Sequence, residues 1–120
     1  MTHKTLVLGA STKTDRYSNI AINRLIDNQE DVVAYGMQEG VVRGIKIDTE
    51  LKPYKDIETV TLYLNPQRQE PYYNYILSLK PKRVIFNPGT ENPEFIKKLQ
   101  GHGIHAEVAC TLTLLATNQY

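Results

Sequence analysis

Apolar and polar positions alternate between two periods along the chain, with Gly, Pro and Asn as punctuation. Thr5-Leu6-Val7-Leu8 is a β-forming run stopped by Gly9, the pattern of a strand buried on both faces. From about Ser18 to Asn28 the period becomes helical. Ala21, Ile22, Leu25 and Ile26 share one face there, and Ser18 stands as the N-cap. Val32-Val33-Ala34-Tyr35 predicts a second strand, ended by Gly36. The stretch from Gly36 to Asp56 is less regular. Arg43-Gly44 breaks it, Ile45-Lys46-Ile47 reads as a short edge strand, and Lys52-Pro53 opens a turn.

Residues 59–64 are rich in β-formers and stop at Asn65-Pro66. Gln69 to Leu79 predicts a helix with Tyr72, Ile76 and Leu79 on one face, stopped by Lys80-Pro81. Arg83-Val84-Ile85-Phe86 predicts a strand running into Asn87-Pro88-Gly89. Asn92-Pro93-Glu94 is a helix start: a capping Asn, Pro at the first helical position, and an acid at the positive dipole end. Phe95, Ile96 and Leu99 supply that helix's buried face, and Gly101 or Gly103 closes it. His105 to Val108 is the last predicted strand, and Cys110 to Ala116 a short final helix.

Strands alternating with helices require right-handed βαβ units, so the expected fold is α/β, three-layered, with a mostly parallel sheet. The first strand should be central, flanked by the second on one side and by strand 59–64 on the other. Ligands of such sheets bind outside the strand carboxyl ends where the winding reverses, here between strands 5–8 and 59–64.

Composition narrows the function. The chain has 120 residues, enough for a single domain. Hydrophobic residues make up 41% and charged residues 22%, which supports a packed core. Fourteen Lys and Arg against 13 Asp and Glu leave +1, which argues against a general nucleic-acid binder but permits a few cations focused on one anion. No apolar run approaches the roughly 20 residues of a membrane span. The start, Met1-Thr2-His3-Lys4, lacks a signal-peptide pattern, and the single cysteine, Cys110, leaves no internal disulfide. A cytoplasmic protein is the expectation.

Three strand exits carry the candidate chemistry. In the first, Gly9 lets backbone approach a ligand, Ser11, Thr12 and Ser18 offer hydroxyls, Lys13 and Arg16 bring charge, and the following helix start adds free N–H groups. This loop suits a phosphate, although a plain polar connection has the same composition. It lacks the G-x-G-x-x-G of dinucleotide binders and the G-x-x-x-x-G-K-[ST] of triphosphate binders. No acid follows Tyr35-Gly36-Met37 closely enough to hold a ribose; Glu39 is the nearest. At the second exit Leu64 offers an apolar wall, and Asn65 either meets a base edge or simply stops the strand. The third, Asn87-Pro88-Gly89-Thr90-Glu91, reads as a tight turn whose amides face the cleft.

His102 and His105 have no carboxylate or Cys cluster to complete a metal site, and His3 lies at the terminus. Cys110 has no His to activate it and reads as a buried thiol. No nucleophile–base–orienter set assembles, so no catalytic residue is assigned. Tyr72, Tyr73 and Tyr75 crowd one helix, and those not in the core form a candidate protein-contact patch.

The ordered landmarks resemble stand-alone CoA-binding domain proteins. They are strand 5–8 into Gly9-Ala10-Ser11, Arg16-Tyr17-Ser18 opening the helix, Gly44 in the crossover, Pro88-Gly89 with Asn92, Gly103-Ile104, and Cys110. The resemblance covers residues 4–112. A similar Rossmann-like domain begins the α-subunit of succinyl-CoA ligases and related acyl-CoA synthetases. The resemblance implies a CoA or acyl-CoA ligand at the strand ends. Its phosphates would lie on Gly9, Ala10, Ser11, Thr12, Lys13, Tyr17 and Ser18. Tyr35 and Gly36 would line the site, Arg43 would serve as the crossover's basic residue, Leu64, Asn65 and Pro66 would flank the adenine, and Asn87, Pro88 and Gly89 would complete it. Members commonly carry Asn-Pro after the second strand, where this chain has Tyr35-Gly36. The ligases' partner domains do not appear in these 120 residues, so a non-catalytic binding or regulatory role is expected. The alternatives are a protein-interaction module of the same fold without the ligand, as a homodimer or with another protein, or a binder of another nucleotide such as NAD(P).

Overall fold

The computed structural model describes residues 4–120, so His3 lies outside the described residues. The elements are β1 (Lys4–Leu8), α1 (Tyr17–Asp27), β2 (Asp31–Tyr35), β3 (Gly40–Val42), β4 (Ile45–Asp48), β5 (Ile57–Leu62), α2 (Pro66–Gln69), a single 3-10 turn (Glu70–Tyr72), α3 (Tyr73–Leu79), β6 (Arg83–Phe86), α4 (Pro93–Gly101), β7 (His105–Val108) and α5 (Thr111–Ala116). They form one sheet of order β3-β4-β2-β1-β5-β6-β7, parallel except for the β3–β4 hairpin. This is the Rossmann-like α/β arrangement that the alternation predicts. β1 is central and pairs Leu8 with Tyr35 on one side and with Leu62 on the other, so the winding reverses between β1 and β5.

The two faces of β1 organise two cores. Leu6 and Leu8 pack with Tyr73, Ile76, Phe95 and Leu99 of α3 and α4. Val7 packs with Ile22 and Leu25 of α1, and Leu115 of α5 joins that side. Each of these β1 residues is fully buried, which at about 1.5–3 kcal/mol per large aliphatic side chain makes the strand the main apolar anchor.

Four predicted elements differ from those observed. α1 begins one residue early, with Arg16 at the N-cap; Ser18 is buried in the first turn and does not cap. The irregular 36–56 stretch holds a two-stranded hairpin turned by Arg43-Gly44, where Gly44 adopts a φ of +84°. Strand 59–64 lies instead at Ile57–Leu62, because its partner β1 ends at Leu8 and only one further bond, Tyr63 N–H to the Leu8 carbonyl, extends the ladder. The 69–79 helix is three pieces: Pro71 cannot donate to a helical ladder, so α2 gives way to the 3-10 turn before α3 starts.

Buried amide side chains tie the strand exits together. The Asn87 Nδ2 group donates to Thr61 Oγ1 (2.6 Å) and the Leu62 carbonyl (2.9 Å), while its Oδ1 accepts from Thr111 N–H (2.9 Å). Gln69, fully buried, donates to the Leu64 and Thr90 carbonyls, both at 2.8 Å, and accepts from Asn92. Asn92 also donates to the Tyr73 hydroxyl and caps α4 by accepting from Phe95 N–H. Replacing Asn87 by Ala strands a carbonyl and an N–H that water cannot reach. Each such group costs about 1–3 kcal/mol, so Asn87→Ala should lower unfolding stability by about 2–4 kcal/mol in denaturant titration, with the wild-type m-value.

Candidate functional site

A cleft of about 490 Å³ opens where the carboxyl ends of β1, β2 and β5 meet. That size falls in the ~300–1,000 Å³ range of small-molecule sites. Its first wall is the β1–α1 loop, from Gly9 to Ser18. Gly9 turns the chain at a φ of +100°, and a Cβ there would lie 2.8 Å from the Tyr63 carbonyl oxygen. The N–H groups of Gly9 and Ala10 both donate to the Tyr35 carbonyl at 2.9 Å, joining this loop to the β2 exit. Buried Asn19 donates to the Ser11 carbonyl (3.0 Å), and Lys13 N–H donates to Ser11 Oγ (3.1 Å). The loop is therefore shaped before any ligand arrives. The N–H groups of Ser11, Thr12, Tyr17 and Ser18 have no acceptor among the described residues. Tyr17 and Ser18 open α1, where the helix geometry leaves such groups free.

The second wall is the β2 exit, with Tyr35, Gly36, Met37 and Gln38. Gly36 is required by close approach: a Cβ there would come 2.3 Å from the Ala10 carbonyl oxygen. The third wall comes from the β5 exit: Tyr63, Leu64, Asn65 and, one helical turn on, Arg68 and Tyr72. Asn65 Oδ1 accepts from Arg68 N–H at 3.0 Å, so Asn65 both stops the strand and caps α2. Tyr72 meets Tyr35 edge-on, with ring centroids 5.4 Å apart and hydroxyls 3.1 Å apart. Pro88, Gly89 and Thr90 complete the rim.

The charge on this surface is one-sided. Lys13, Arg16 and Arg68 line the cleft, and no Asp or Glu does. Among the described residues none of the three side chains is paired with a carboxylate. The first turn of α1 carries no acid, so its positive end is left unneutralised. The arrangement sets three cations and free amides beside the apolar walls of Met37, Leu64 and the Tyr35–Tyr72 pair.

Three residues expected at the site are not brought to the cleft. Arg43 sits at the hairpin tip, at the opposite end of the sheet, where it pairs with Asp27 (2.7 Å) and donates to the Asn23 carbonyl. The crossover turns back as a hairpin, which carries its basic residue away from the strand carboxyl ends. Asn87 is 2% exposed and its side chain is used within the fold. Pro66 is the first residue of α2 and is not one of the residues that line the cleft. The amides of the third exit are also used locally: Gly89 N–H donates to Glu91 Oε1 and Thr90 N–H to the Asn87 carbonyl. Sequence reasoning missed Arg68, Tyr63, Tyr72, Met37 and Gln38 on the walls. Only Arg68 had a readable signal, lying three residues beyond a capping Asn-Pro.

The tyrosine-rich segment is directed inward. Tyr73 stacks on Phe95 at 4.2 Å, Tyr72 faces the cleft, and the Tyr75 hydroxyl donates to the Lys52 carbonyl. Cys110 is half-buried at the N-cap of α5, and its thiol is held below the ordinary value by hydrogen bonding at Thr113 and Leu112 that outweighs its burial. Among the described residues no group of three His, Cys, Asp or Glu converges as a metal site, and no helix is long and apolar enough to cross a membrane.

The doubly wound α/β sheet thus carries a cationic, amide-lined crevice at its winding reversal, the place where sheets of this class take their ligands. The family model for the CoA binding domain matches residues 3–116, and the chain belongs to that family. A crystal structure of an uncharacterised protein is 46% identical, with a TM-score of 0.97 over 100% of this chain and 99% of that one. A Thermus thermophilus protein is 21% identical with a TM-score of 0.84, covering 99% of this chain and 91% of that one. A dinucleotide-forming acetyl-coenzyme A synthetase from Ca. Korarchaeum cryptofilum, solved with phosphate and ADP, shares the fold at 12% identity and a TM-score of 0.71. That match covers 90% of this chain and 25% of the synthetase chain. No curated protein matched.

Two expectations follow from the geometry. Gly36→Ala should push the Ala10 backbone aside, lowering the melting temperature and weakening any ligand of the β1–α1 loop together. Burial, then the hydrogen bond to Tyr72, raises the Tyr35 phenol to about 12, and burial raises Tyr63 to about 12. The fold favours their neutral forms, so this stability is fully present below pH 10 and is lost as pH rises toward 12. Denaturation midpoints measured across pH 9–12 should fall, and less steeply in Tyr35→Phe.

Proposed function

We propose that the protein binds CoA or an acyl-CoA in this cleft and acts as a non-catalytic binding or regulatory module. The observation that carries the reading is a wall with three cations, free loop and helix-start amides, and no acid, in a chain of the CoA binding domain family. The diphosphate fits over Ser11, Thr12, Tyr17 and Ser18, whose N–H groups have no other acceptor among the described residues. The adenine fits between Met37 at the β2 exit and Leu64 at the β5 exit, against the apolar edge of the Tyr35–Tyr72 pair. The acid that would hold a ribose diol in a dinucleotide site is missing from the β2 exit, which supports CoA over NAD(P). Among the described residues that line the cleft there is no Asp, Glu, His or Cys to act as acid, base or thiol nucleophile, which supports binding over catalysis. With its three tyrosines turned inward, the α2–α3 segment gives the interaction-module reading little to stand on.

Calorimetric titration with CoA, dephospho-CoA and NAD should give its tightest binding with CoA. No heat with CoA at millimolar ligand would reject the reading. Ser11→Glu should weaken CoA at least tenfold, about 1.4 kcal/mol, by placing a carboxylate where the phosphates lie. Unchanged affinity in a folded variant would move the site elsewhere.

A further inference from the structure

The sheet ends in two edge strands, β3 and β7, and they differ. β3 has three residues and, as half of a tight hairpin, turns only the main-chain groups of Val41 outward. β7 is a regular strand, His105-Ala106-Glu107-Val108, with no Pro, Lys or bulge to blunt its edge. Its ladder to β6 runs in step, with His105 beside Arg83 and Val108 beside Phe86. His105 N–H donates to the Lys82 carbonyl and Ala109 N–H to the Phe86 carbonyl, both at 3.2 Å. Alternate residues of a strand turn their main-chain groups to alternate sides, so His105, Glu107 and Ala109 face β6, while Ala106 and Val108 face outward. Among the described residues nothing bonds the N–H or carbonyl of Ala106 or Val108, and Val108 is 58% exposed. The side chains of His105 and Glu107 share one face of the sheet. There Glu107 Oε1 lies 3.7 Å from His105 Nε2 and 3.5 Å from the Arg83 guanidinium.

We propose that β7 is the interface of a homodimer, in which two copies join their β7 edges antiparallel about a two-fold axis and extend one sheet into the other. Two-fold pairing of a strand this short allows few registers, and charge chooses among them. An axis at His105 or Glu107 sets like side chains face to face, which destabilises an antiparallel ladder for the carboxylates in particular. An axis at Val108 sets Glu107 against the uncharged Ala109 of the partner subunit. With the axis at Ala106, the outward groups of that residue exchange both main-chain hydrogen bonds with the partner's Ala106. His105 then stands opposite the partner's Glu107, in the non-hydrogen-bonded position where side chains come closest. Each Glu107 is held between its own Arg83 and the imidazole of the partner's His105, so the edge is complementary to itself in this register. No β7 residue lines the cleft, so the inference is independent of the CoA reading and leaves both clefts open.

The test is sedimentation of the wild type and three variants from micromolar to millimolar protein. The wild type should pass from monomer to dimer as concentration rises. Ala106→Pro removes an outward N–H that the monomer does not use, a change that edge strands tolerate, and should stay monomeric throughout. His105→Glu turns two attractive pairs into repulsive ones and should weaken the dimer about tenfold or more. His105→Lys keeps a cation opposite Glu107 and should dimerise within about threefold of the wild type. The His105 side chain is exposed, so these two variants read the interface even where the proline one fails to fold. A wild type that remains monomeric, or a dimer indifferent to His105→Glu or to a folded Ala106→Pro, would overturn the proposal. A His105→Lys dimer as weak as that of His105→Glu would overturn the register.

Discussion

Backbone groups at the carboxyl ends of the strands must be hydrogen-bonded inside the protein if the strand exits are to hold still around an open cleft. Two buried carboxamides meet that demand. Asn87 binds β5, its own strand β6 and the start of α5 into one unit, and Gln69 joins the Leu64 exit to the Thr90 turn. Neither side chain touches the cleft surface, yet both set its floor. The alternative, leaving these groups to water, would let solvent into the sheet top and cost several kcal/mol in unsatisfied contacts. The rigid floor lets the loops above it be short and polar.

The loop above uses the opposite logic. Its outer groups are left unsatisfied in the chain itself, while its shape is held from behind by Asn19, by the Tyr35 carbonyl and by close contact with Gly36. Donors fixed in place beforehand bind an anion without a further ordering cost. The absence of an acid in the first turn of α1 belongs to the same arrangement, since a carboxylate there would neutralise the positive helix end.

Most of this architecture is legible in the sequence. Runs such as Thr5–Leu8 and Arg83–Phe86 are bounded by Gly and Asn-Pro, and their alternation with helical periods leads directly to the parallel sheet and its winding reversal. Of the β3–β4 hairpin only β4 was legible, as the short strand at Ile45-Lys46-Ile47; β3, with three residues, is shorter than the window in which a period shows. The 69–79 helix reads as continuous from the spacing of Tyr72, Ile76 and Leu79, a periodicity that does not register the missing N–H of Pro71. At the site, the first loop reads well because its chemistry lies in consecutive residues. Asn87 and Asn65 read less well, since an Asn at a strand end serves a cap, a buried bridge or a ligand equally, and only the surrounding fold decides. Arg43 shows the limit of linear position: the two-residue hairpin turn of Arg43-Gly44 places it at the far end of the sheet.

Near the opposite pole, Tyr120 lies beneath the sheet, with its hydroxyl bonded to Thr5 and the Arg83 guanidinium 4.4 Å from its ring centre. The first strand and the last residue are thereby fastened side by side, away from the mouth. Thr5 and Arg83 stand at the amino ends of β1 and β6, whereas the crevice opens at the opposite, carboxyl ends, so this fastening closes the bottom of the sheet without reaching the mouth.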